Sequence, residues 1–303
     1  MMSIRNHHGD SFQRGVVALS SVVGAVHLWP IDIAKVADVH EPEALLSPAE
    51  SARAARFRFS KDRIRYIVRT AMLRQILSRY LNIAPTRMSF NYGEFGKPFL
   101  DSRRLNPEIR NLHFNLSHSD DAALIAISGA GPIGIDVERI RGNMNIDGLA
   151  AHCFTSEERS ALEPLQGDAA VDLFFRLWTA KEAYVKAIGR GLSQNPQSVQ
   201  ISVNVDSTVT LVTVNDDREE ASRWRLHSFS PQPGYLATLA APLGVLPDVM
   251  KSFPQRAGEC PRCSPGFQGL PRGLRASDHG KRIESPESGK FAMCDAQTGT
   301  RRE

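Results

Sequence analysis

The residues that decide the fold are Ile133-Gly134-Ile135-Asp136-Val137-Glu138, near the middle of the 303-residue chain. In a β-strand, successive side chains point to opposite faces. The three apolar side chains therefore lie on one face, and the two carboxylates lie on the other. Two such carboxylates repel each other unless a positive group lies between them, and a hard divalent cation is one solution. The alternative is an ordinary strand face exposed to solvent.

Strands and helices are predicted on both sides of this stretch. Apolar residues recur every three to four positions over 61–81, which predicts a helix, and Ser47-Pro48-Ala49-Glu50 is typical of a helix start. Two further helices are predicted over 156–162 and 169–188. Strands are predicted at 26–29, 88–92, 112–116, 122–127, 134–138, 199–205, 208–214, 224–230 and 235–240. This order predicts an α+β fold with two similar subdomains.

Composition separates both ends of the chain from its body, and the order of elements divides the body into two subdomains. We expect a flexible leader at 1–21, an N-terminal subdomain at 22–128 and a C-terminal subdomain at 129–243. Residues 244–303 are rich in Pro, Gly and Ser and lack periodicity, so we expect a disordered tail. No apolar run approaches the roughly 18 residues that a membrane span needs, and no signal peptide is evident. A cytoplasmic protein without a membrane partner is expected.

The net charge of +4 and the pI of about 9.0 suggest a nucleic-acid-binding protein at first sight. Residues 244–303 carry ten Lys or Arg and seven Asp or Glu, whereas the other 243 residues carry 27 and 26. The basic character is therefore mostly a property of the tail, and no nucleic-acid partner is expected. Cys260 and Cys263 form a CxxC pair in the tail; an inert dithiol is favoured over a zinc site, which needs four ligands.

Two other stretches carry chemically active side chains. Trp178, Glu182 and Lys186 are spaced four apart and share one face of a predicted helix, which could form a surface ion pair or hold a metal and a phosphate. The strand 114–119 ends in Ser117, His118 and Ser119. Hydroxyl, imidazole and backbone N–H groups at such a strand end can bind phosphate, although a lone histidine is usually structural.

Three motifs, in this order, resemble the signature of a known family. They are Phe114-Asn115-Leu116-Ser117-His118-Ser119, Gly134-Ile135-Asp136-Val137-Glu138 and Trp178-Thr179-Ala180-Lys181-Glu182-Ala183-Tyr184-Val185-Lys186. They resemble the 4′-phosphopantetheinyl transferase superfamily, in particular the monomeric type that activates surfactin synthetase. Gly96-Lys97-Pro98, Arg56-Phe57 and Phe154 with Glu158 resemble further family elements. Over about residues 26–241, the resemblance implies two small, mostly antiparallel sheets packed with helices in pseudo-twofold subdomains, with the active site at their interface.

The resemblance also implies a role for each matching residue. The implied metal ligands are Asp136, Glu138 and Glu182, which would hold Mg²⁺, with Mn²⁺ left open as a substitute. The implied catalytic residues are Glu182, Lys186 and Glu158, the last of which would position a metal-bound water or assist deprotonation. The residues implied to bind coenzyme A are Arg53, Arg65, Lys97, Ser117, His118, Lys181 and Lys186. Glu50 lies where some members have a lysine, which puts that part of the phosphate site in doubt.

The implied reaction moves the phosphopantetheine arm of coenzyme A to a serine of an apo acyl or peptidyl carrier protein. Phosphoryl transfer needs positioning and neutralised charge more than covalent help. The nucleophile belongs to the partner, so this chain needs no nucleophilic serine or cysteine of its own. Two alternatives remain: a non-catalytic module that binds coenzyme A or a carrier domain, and a nucleic-acid-binding protein. A monomer is expected.

Overall fold

The computed structural model describes residues 25–37, 42–94, 97–100, 111–142, 144–191 and 194–248. The predicted leader at 1–21 lies outside the described residues, as do Cys260, Cys263 and the predicted tail from position 249 onward. No helix in the described ranges combines the length and the apolar character that crossing a bilayer requires.

The elements follow one another along the chain in two comparable series. The first comprises β1 (Ala25–Asp32), α1 (Ile33–Ala37), α2 (Pro48–Ala54), α3 (Ser60–Leu81), β2 (Phe90–Tyr92), β3 (Pro98–Leu100), β4 (His113–Ser119) and β5 (Ala122–Ser128). The second comprises β6 (Gly134–Arg139), α4 (Ile146–Cys153), α5 (Ser156–Leu162), α6 (Gly167–Ile188), β7 (Val199–Val203), β8 (Val209–Val214), α7 (Arg218–Ser222), β9 (Trp224–Phe229) and β10 (Tyr235–Pro242). A last strand, β11 (Leu246–Asp248), follows.

Each half packs one long helix on one antiparallel sheet. In the first half, β1, β5 and β4 pair in that order, and the 22-residue α3 covers one face with its buried apolar side chains. In the second half, β6, β10 and β9 pair in that order, and the 22-residue α6 plays the same part. Each half also contains one two-stranded hairpin, β2–β3 or β7–β8. The predicted α+β fold is confirmed, and the likeness of the halves fits a pseudo-twofold arrangement.

The two sheets share a core between them. Alternate side chains of β1 and β5, among them Leu28 and Leu124, pack with Ile133, Ile135 and Val137, which line β6 and the residue before it. Burying this apolar row against the first sheet turns the opposite face of β6, with Asp136 and Glu138, toward α6. The alternation predicted from the sequence is thus realised with both faces buried, and the solvated-strand alternative is wrong.

The end of the described chain returns to the first sheet. Leu246–Asp248 form β11, which pairs in parallel with β1, so regular structure extends past the predicted start of the tail at residue 244. A strand of the first sheet is therefore contributed from beyond the predicted second subdomain. The boundary between residues 128 and 129 stays a prediction.

Gly134 allows α6 to lie directly against β6. A Cβ atom at Gly134 would lie 2.0 Å from the carbonyl oxygen of Ala183 and 2.4 Å from the amide nitrogen of Ala187. Both are backbone atoms that cannot rotate away, so the helix itself would have to move.

We expect Gly134→Ala to lower the free energy of unfolding by at least about 1–3 kcal/mol, because overpacking forces a backbone shift. Urea unfolding followed by circular dichroism measures this loss. Gly142→Ala is the matched control, since a Cβ atom at that exposed position meets no atom within 4 Å. Equal stability of the two variants would contradict the close packing of α6 on β6.

Candidate active site

A ladder of side-chain hydrogen bonds joins the edges of the two sheets. Asn115, Ser117 and Ser119 alternate along β4, and each accepts a backbone N–H from β6: Asn115 Oδ1 from Ile135 at 2.8 Å, Ser117 Oγ from Val137 at 3.2 Å and Ser119 Oγ from Arg139 at 3.1 Å. The edge of β6 is therefore satisfied by side chains rather than by another strand. This ladder fixes the register of β4 against β6.

The same serines also hold the two carboxylates of β6. Ser117 Oγ donates to Asp136 Oδ1 at 2.9 Å, and Ser119 Oγ donates to Glu138 Oε2 at 2.7 Å. Asp136 and Glu138 are only 0% and 2% exposed. Burying ionised groups is costly unless they are hydrogen-bonded and paired with positive charge, so this cluster is built for a compensating cation.

Lys186 supplies one positive charge to this cluster. Its Nζ lies 2.5 Å from Asp136 Oδ1 and 3.2 Å from Ser117 Oγ, and its side chain is 23% exposed. The ammonium therefore bridges the buried cluster and the solvent, where an anionic substrate could reach it.

The face of α6 that carries Trp178, Glu182 and Lys186 lies at the carboxylate face of β6. Thr179 Oγ1 lies 2.9 Å from Thr238 Oγ1, and Thr238 pairs with Asp136 across β6 and β10. Trp178 and Glu182 are buried, at 2% and 7% exposed. The helix face that carries Trp178, Glu182 and Lys186 therefore points into the protein, and the alternative of a surface ion pair is wrong.

The donor set suits a hard divalent cation. Asp136 and Glu138 share one strand face, Glu182 lies on the facing helix, and carboxylate oxygen is the ligand type that Mg²⁺ prefers. In the described part of the chain, however, no three His, Cys, Asp or Glu side chains converge closely enough to hold a metal. In this arrangement, the Lys186 ammonium forms an ion pair with Asp136 Oδ1. The chemistry of the residues thus fits a metal, and the Lys186 ammonium supplies a positive charge at Asp136.

Glu158 and Lys181 form a separate buried ion pair on the α5 side of α6. Glu158 Oε2 accepts from Lys181 Nζ at 2.8 Å and from the backbone N–H of Thr155 at 2.8 Å, and its Oε1 accepts from Ile201 N at 2.7 Å. Lys181 Nζ also donates to the carbonyls of Pro196 and Val199. Burial lowers the pKa of Lys181, although Glu158 opposes the shift. Glu158 thus caps α5, and the pair anchors β7. The proton-transfer role of Glu158 and the coenzyme-A contact of Lys181 stay predictions from the resemblance.

Ser117, Lys97 and Arg65, which were expected to bind the nucleotide end of coenzyme A, contact other groups of the chain. Ser117 is bound into the ladder, as described above. Lys97 Nζ donates to the carbonyl of Lys186 at 2.5 Å, at the end of α6. Arg65 pairs with Asp121 at 2.8 Å and with Asp120 at 3.2 Å in the turn between β4 and β5. These contacts give the three side chains partners within the chain, and their binding of coenzyme A stays a prediction.

The surroundings of Arg53 suit an anion, and His118 lies on the face of β4 that packs on α3. His118 is partly buried on the face of β4 opposite Ser117, the face that packs on α3 through Phe114. The guanidinium of Arg53 lies 5.4 Å from the centre of the Tyr66 ring, and that of Arg69 lies 5.2 Å from the same ring. In the described ranges, neither arginine forms an ion pair with a carboxylate. Burial, followed by the charge of Arg53, lowers the pKa of Arg69 to about 10.

Glu50, which the resemblance put in a doubtful part of the phosphate site, has a structural role. Its carboxylate accepts from Arg74 Nε at 2.8 Å and from the backbone N–H of Ser47 at 2.7 Å, which completes the predicted capping box of α2. Asn115 and Arg69 were not assigned a role in the site from the sequence, and Ser119 was named only as part of a strand end that could bind phosphate. The alternation of small polar residues along 115–119 was the available signal for Asn115 and Ser119.

Two family profiles together match most of the described chain. The profile described as "4'-phosphopantetheinyl transferase superfamily" matches residues 132–240, and "4'-phosphopantetheinyl transferase, N-terminal" matches residues 36–129. The 4'-phosphopantetheinyl transferase HetI of Nostoc sp. is 35% identical over 216 residues, which cover 71% of this chain and 86% of HetI. The 4'-phosphopantetheinyl transferase Sfp of Bacillus subtilis is 27% identical over 198 residues, which cover 65% of this chain and 83% of Sfp.

One solved structure has a more distant likeness. A holo-(acyl-carrier-protein) synthase from Bacillus anthracis, in complex with coenzyme A (3',5'-ADP), is 21% identical with a TM-score of 0.30, and the match covers 36% of this chain and 92% of that one. At that TM-score the likeness adds nothing to the assignment, which rests on the profiles and on HetI. The predicted family and its likeness to Sfp are confirmed: the chain belongs to the 4′-phosphopantetheinyl transferase superfamily.

Proposed function

We propose that this chain transfers the 4′-phosphopantetheine arm of coenzyme A to a serine of an apo acyl or peptidyl carrier protein. The serine oxygen forms a bond to the phosphorus that bears the pantetheine arm, and the bond from that phosphorus to the bridging diphosphate oxygen breaks. Adenosine 3′,5′-bisphosphate leaves with the bond electrons, and the serine proton passes to a base. The observation that carries the proposal is the buried Asp136–Lys186 pair beside Glu138, at the contact between the two sheets.

The metal ion of this site would be Mg²⁺, with Mn²⁺ as a substitute to be tested. Asp136, Glu138 and Glu182 are the residues that would hold it, and when bound it would neutralise diphosphate charge. Ser117 and Ser119 orient the first two carboxylates through the hydrogen bonds described above. Removal of divalent ions by a chelator is expected to stop turnover, and added Mg²⁺ is expected to restore it.

Lys186 is the proposed cation for the charge that develops on the leaving bisphosphate. An ammonium aimed at developing charge inside a partly water-excluded site is worth more than one in bulk water. Glu182, the most exposed of the three acids at 7%, is proposed as the group that assists removal of the serine proton. Glu158 cannot serve there without giving up its bonds to Lys181 and Ile201.

Arg53, Arg69 and His118 are proposed to bind the nucleotide end of coenzyme A, including its 3′-phosphate. Two guanidinium groups over one tyrosine ring, neither paired with a carboxylate in the described chain, create a local excess of positive charge. Arginine suits phosphate because its planar fork can donate two parallel hydrogen bonds.

We expect Arg69→Met to raise the KM for coenzyme A roughly tenfold, because a charge-assisted hydrogen bond contributes about 1.5–3 kcal/mol. The KM for 3′-dephospho-coenzyme A should change much less, since that substrate lacks the phosphate. Arg63→Met is the matched control on the same helix, because Arg63 is 47% exposed and pairs with Glu43. An equal rise for both substrates would place Arg69 outside the phosphate site.

Mass spectrometry of apo carrier proteins after incubation with the full chain, coenzyme A and Mg²⁺ tests the function. The expected result is a gain of one phosphopantetheine on a single serine. Coenzyme A binding by calorimetry without any transfer would favour the non-catalytic binding module instead. Binding of nucleic acid without coenzyme A binding would overturn the proposal. The cytoplasmic location and the monomeric state remain predictions from the sequence.

A further inference from the structure

Lys97 connects the hairpin of the first half to the end of α6 in the second. Its Nζ donates to three backbone carbonyls: Lys186 at 2.5 Å, Ile133 at 3.3 Å and Ala187 at 3.5 Å. Two of these carbonyls belong to the last turn of α6, and the third belongs to the residue before β6. One side chain therefore holds together the two elements that carry Lys186 and Asp136.

Two of the three acceptors, the carbonyls of Lys186 and Ala187, are groups that a helix leaves unsatisfied. The last four carbonyls of an α-helix have no partner within the helix, and the helix dipole favours a cation at this end. α6 ends at Ile188, and the next residue, Gly189, has a φ of 73° and donates its N–H back to the carbonyl of Val185. The carbonyls of Lys186 and Ala187 follow that of Val185 in the chain and do not accept the Gly189 N–H. An ammonium has three N–H donors, which matches the three carbonyls in number.

We propose that Lys97 is a positioning residue for the transfer reaction: by binding the last turn of α6 to the start of β6, it holds the Lys186 ammonium at Asp136. This inference rests on the proposed function. It replaces the phosphate contact expected for Lys97 with an action through Lys186, whose own carbonyl is the closest acceptor at 2.5 Å. A shift of about 1 Å in a reacting group can cost up to roughly a hundredfold in rate, so such a contact matters for catalysis.

Two other basic groups, Lys186 and His113, lie near Lys97. Burial, followed by the positive charge of Lys186, lowers the pKa of Lys97 to about 8. His113 on β4 faces the same group, and burial together with Lys97 lowers its pKa. A neutral amine keeps only two N–H donors for three carbonyls. We therefore expect kcat to fall as the pH rises through about 8. This alkaline decrease in the pH profile of kcat should be absent when Lys97 is replaced.

The test compares Lys97→Met, which removes every donor, with Lys97→Gln, which keeps two. We expect kcat to fall roughly tenfold to a hundredfold in Lys97→Met and less in Lys97→Gln, while calorimetry finds the Kd for coenzyme A within about twofold of the wild type. The ratio of the Kd values for coenzyme A and 3′-dephospho-coenzyme A should not change. Lys35→Met is the control, because Lys35 is 63% exposed and pairs only with the nearby Asp32 among the described residues.

Two results would overturn the inference. The first is an unchanged kcat in Lys97→Met. The second is a weaker Kd for coenzyme A that is absent with 3′-dephospho-coenzyme A, which would make Lys97 a phosphate ligand. If Lys97→Met does not fold, Lys97→Gln carries the test, and a kcat equal to that of the wild type at every pH would reject the positioning role. An inactive wild-type protein would instead reject the proposed function.

Discussion

Replacement of Asp136 by asparagine is expected to lower kcat by roughly 10²–10³-fold while the protein stays folded. The amide keeps the shape of the side chain but loses the charge that pairs with Lys186 and that would hold the metal. Charge stabilisation by a metal contributes several kcal/mol to a transition state, and each 1.4 kcal/mol is about a factor of ten in rate. Transfer of a fluorescent coenzyme A analogue to an apo carrier protein measures the loss.

A matched change on α6 separates this effect from a general loss of charge. Asp172 pairs with Arg176 at 2.6 Å and is 49% exposed, so Asp172→Asn should leave kcat within about twofold, as for other surface pairs. Circular dichroism and urea unfolding check that Asp136→Asn keeps its fold. Activity of Asp136→Asn within about threefold of the wild type would reject the proposed metal site.

Replacement of Arg74 by leucine should cost about 3–5 kcal/mol of unfolding free energy, the usual effect of breaking a buried ion pair. Arg74 and Glu50 are 1% and 5% exposed, and their atoms approach to 2.8 Å. The guanidinium also donates to the carbonyls of Pro85 and Met88 at 2.7 Å and 3.0 Å. Leucine would remove the guanidinium donors from the buried Glu50 carboxylate and from the carbonyls of Pro85 and Met88. Urea unfolding gives the difference directly.

A second substitution tests whether the uncompensated charge of Glu50 causes this loss. Glutamine at position 50 can still accept from Ser47 in the capping box but carries no charge. The double variant Glu50→Gln with Arg74→Leu should therefore be more stable than Arg74→Leu alone. Arg63→Leu breaks an exposed pair with Glu43 and should cost less than about 1 kcal/mol. A double variant that is less stable than Arg74→Leu would show that the carboxylate is not the source of the cost.

Local patterns in the sequence were enough to locate most elements. The helix predicted over 156–162 is α5, and those predicted over 61–81 and 169–188 differ from α3 and α6 by one and two residues at their starts. The apolar repeats of helices and strands, with periods of 3.6 and 2 residues, depend on neighbours in the chain. The capping box at Ser47 does so too, and all of these patterns are therefore visible in the sequence. The order of the three motifs likewise predicted the family.

Contacts between distant residues were not predictable in this way. Glu158 was expected to assist proton transfer and Lys181 to bind coenzyme A because both lie in family motifs. Their contacts with each other and with β7 were not visible in the sequence. Two of the three acceptors of Lys97 lie 89 and 90 residues away, and Arg69 meets Arg53 only because α2 packs on α3. No period or spacing encodes such pairs.

The sequence by itself determined the positions of most helices and strands, the burial of the row Ile133, Ile135 and Val137, and the placement of Asp136 and Glu138 on the opposite face. Only the tertiary structure decided which partners those carboxylates have. Ser117 and Ser119 reach them because two sheet edges meet, and Lys186 reaches Asp136 because α6 crosses β6 at a glycine. The periodicity of an element fixes the direction of its side chains, whereas the packing of elements that are far apart in the chain fixes what those side chains contact.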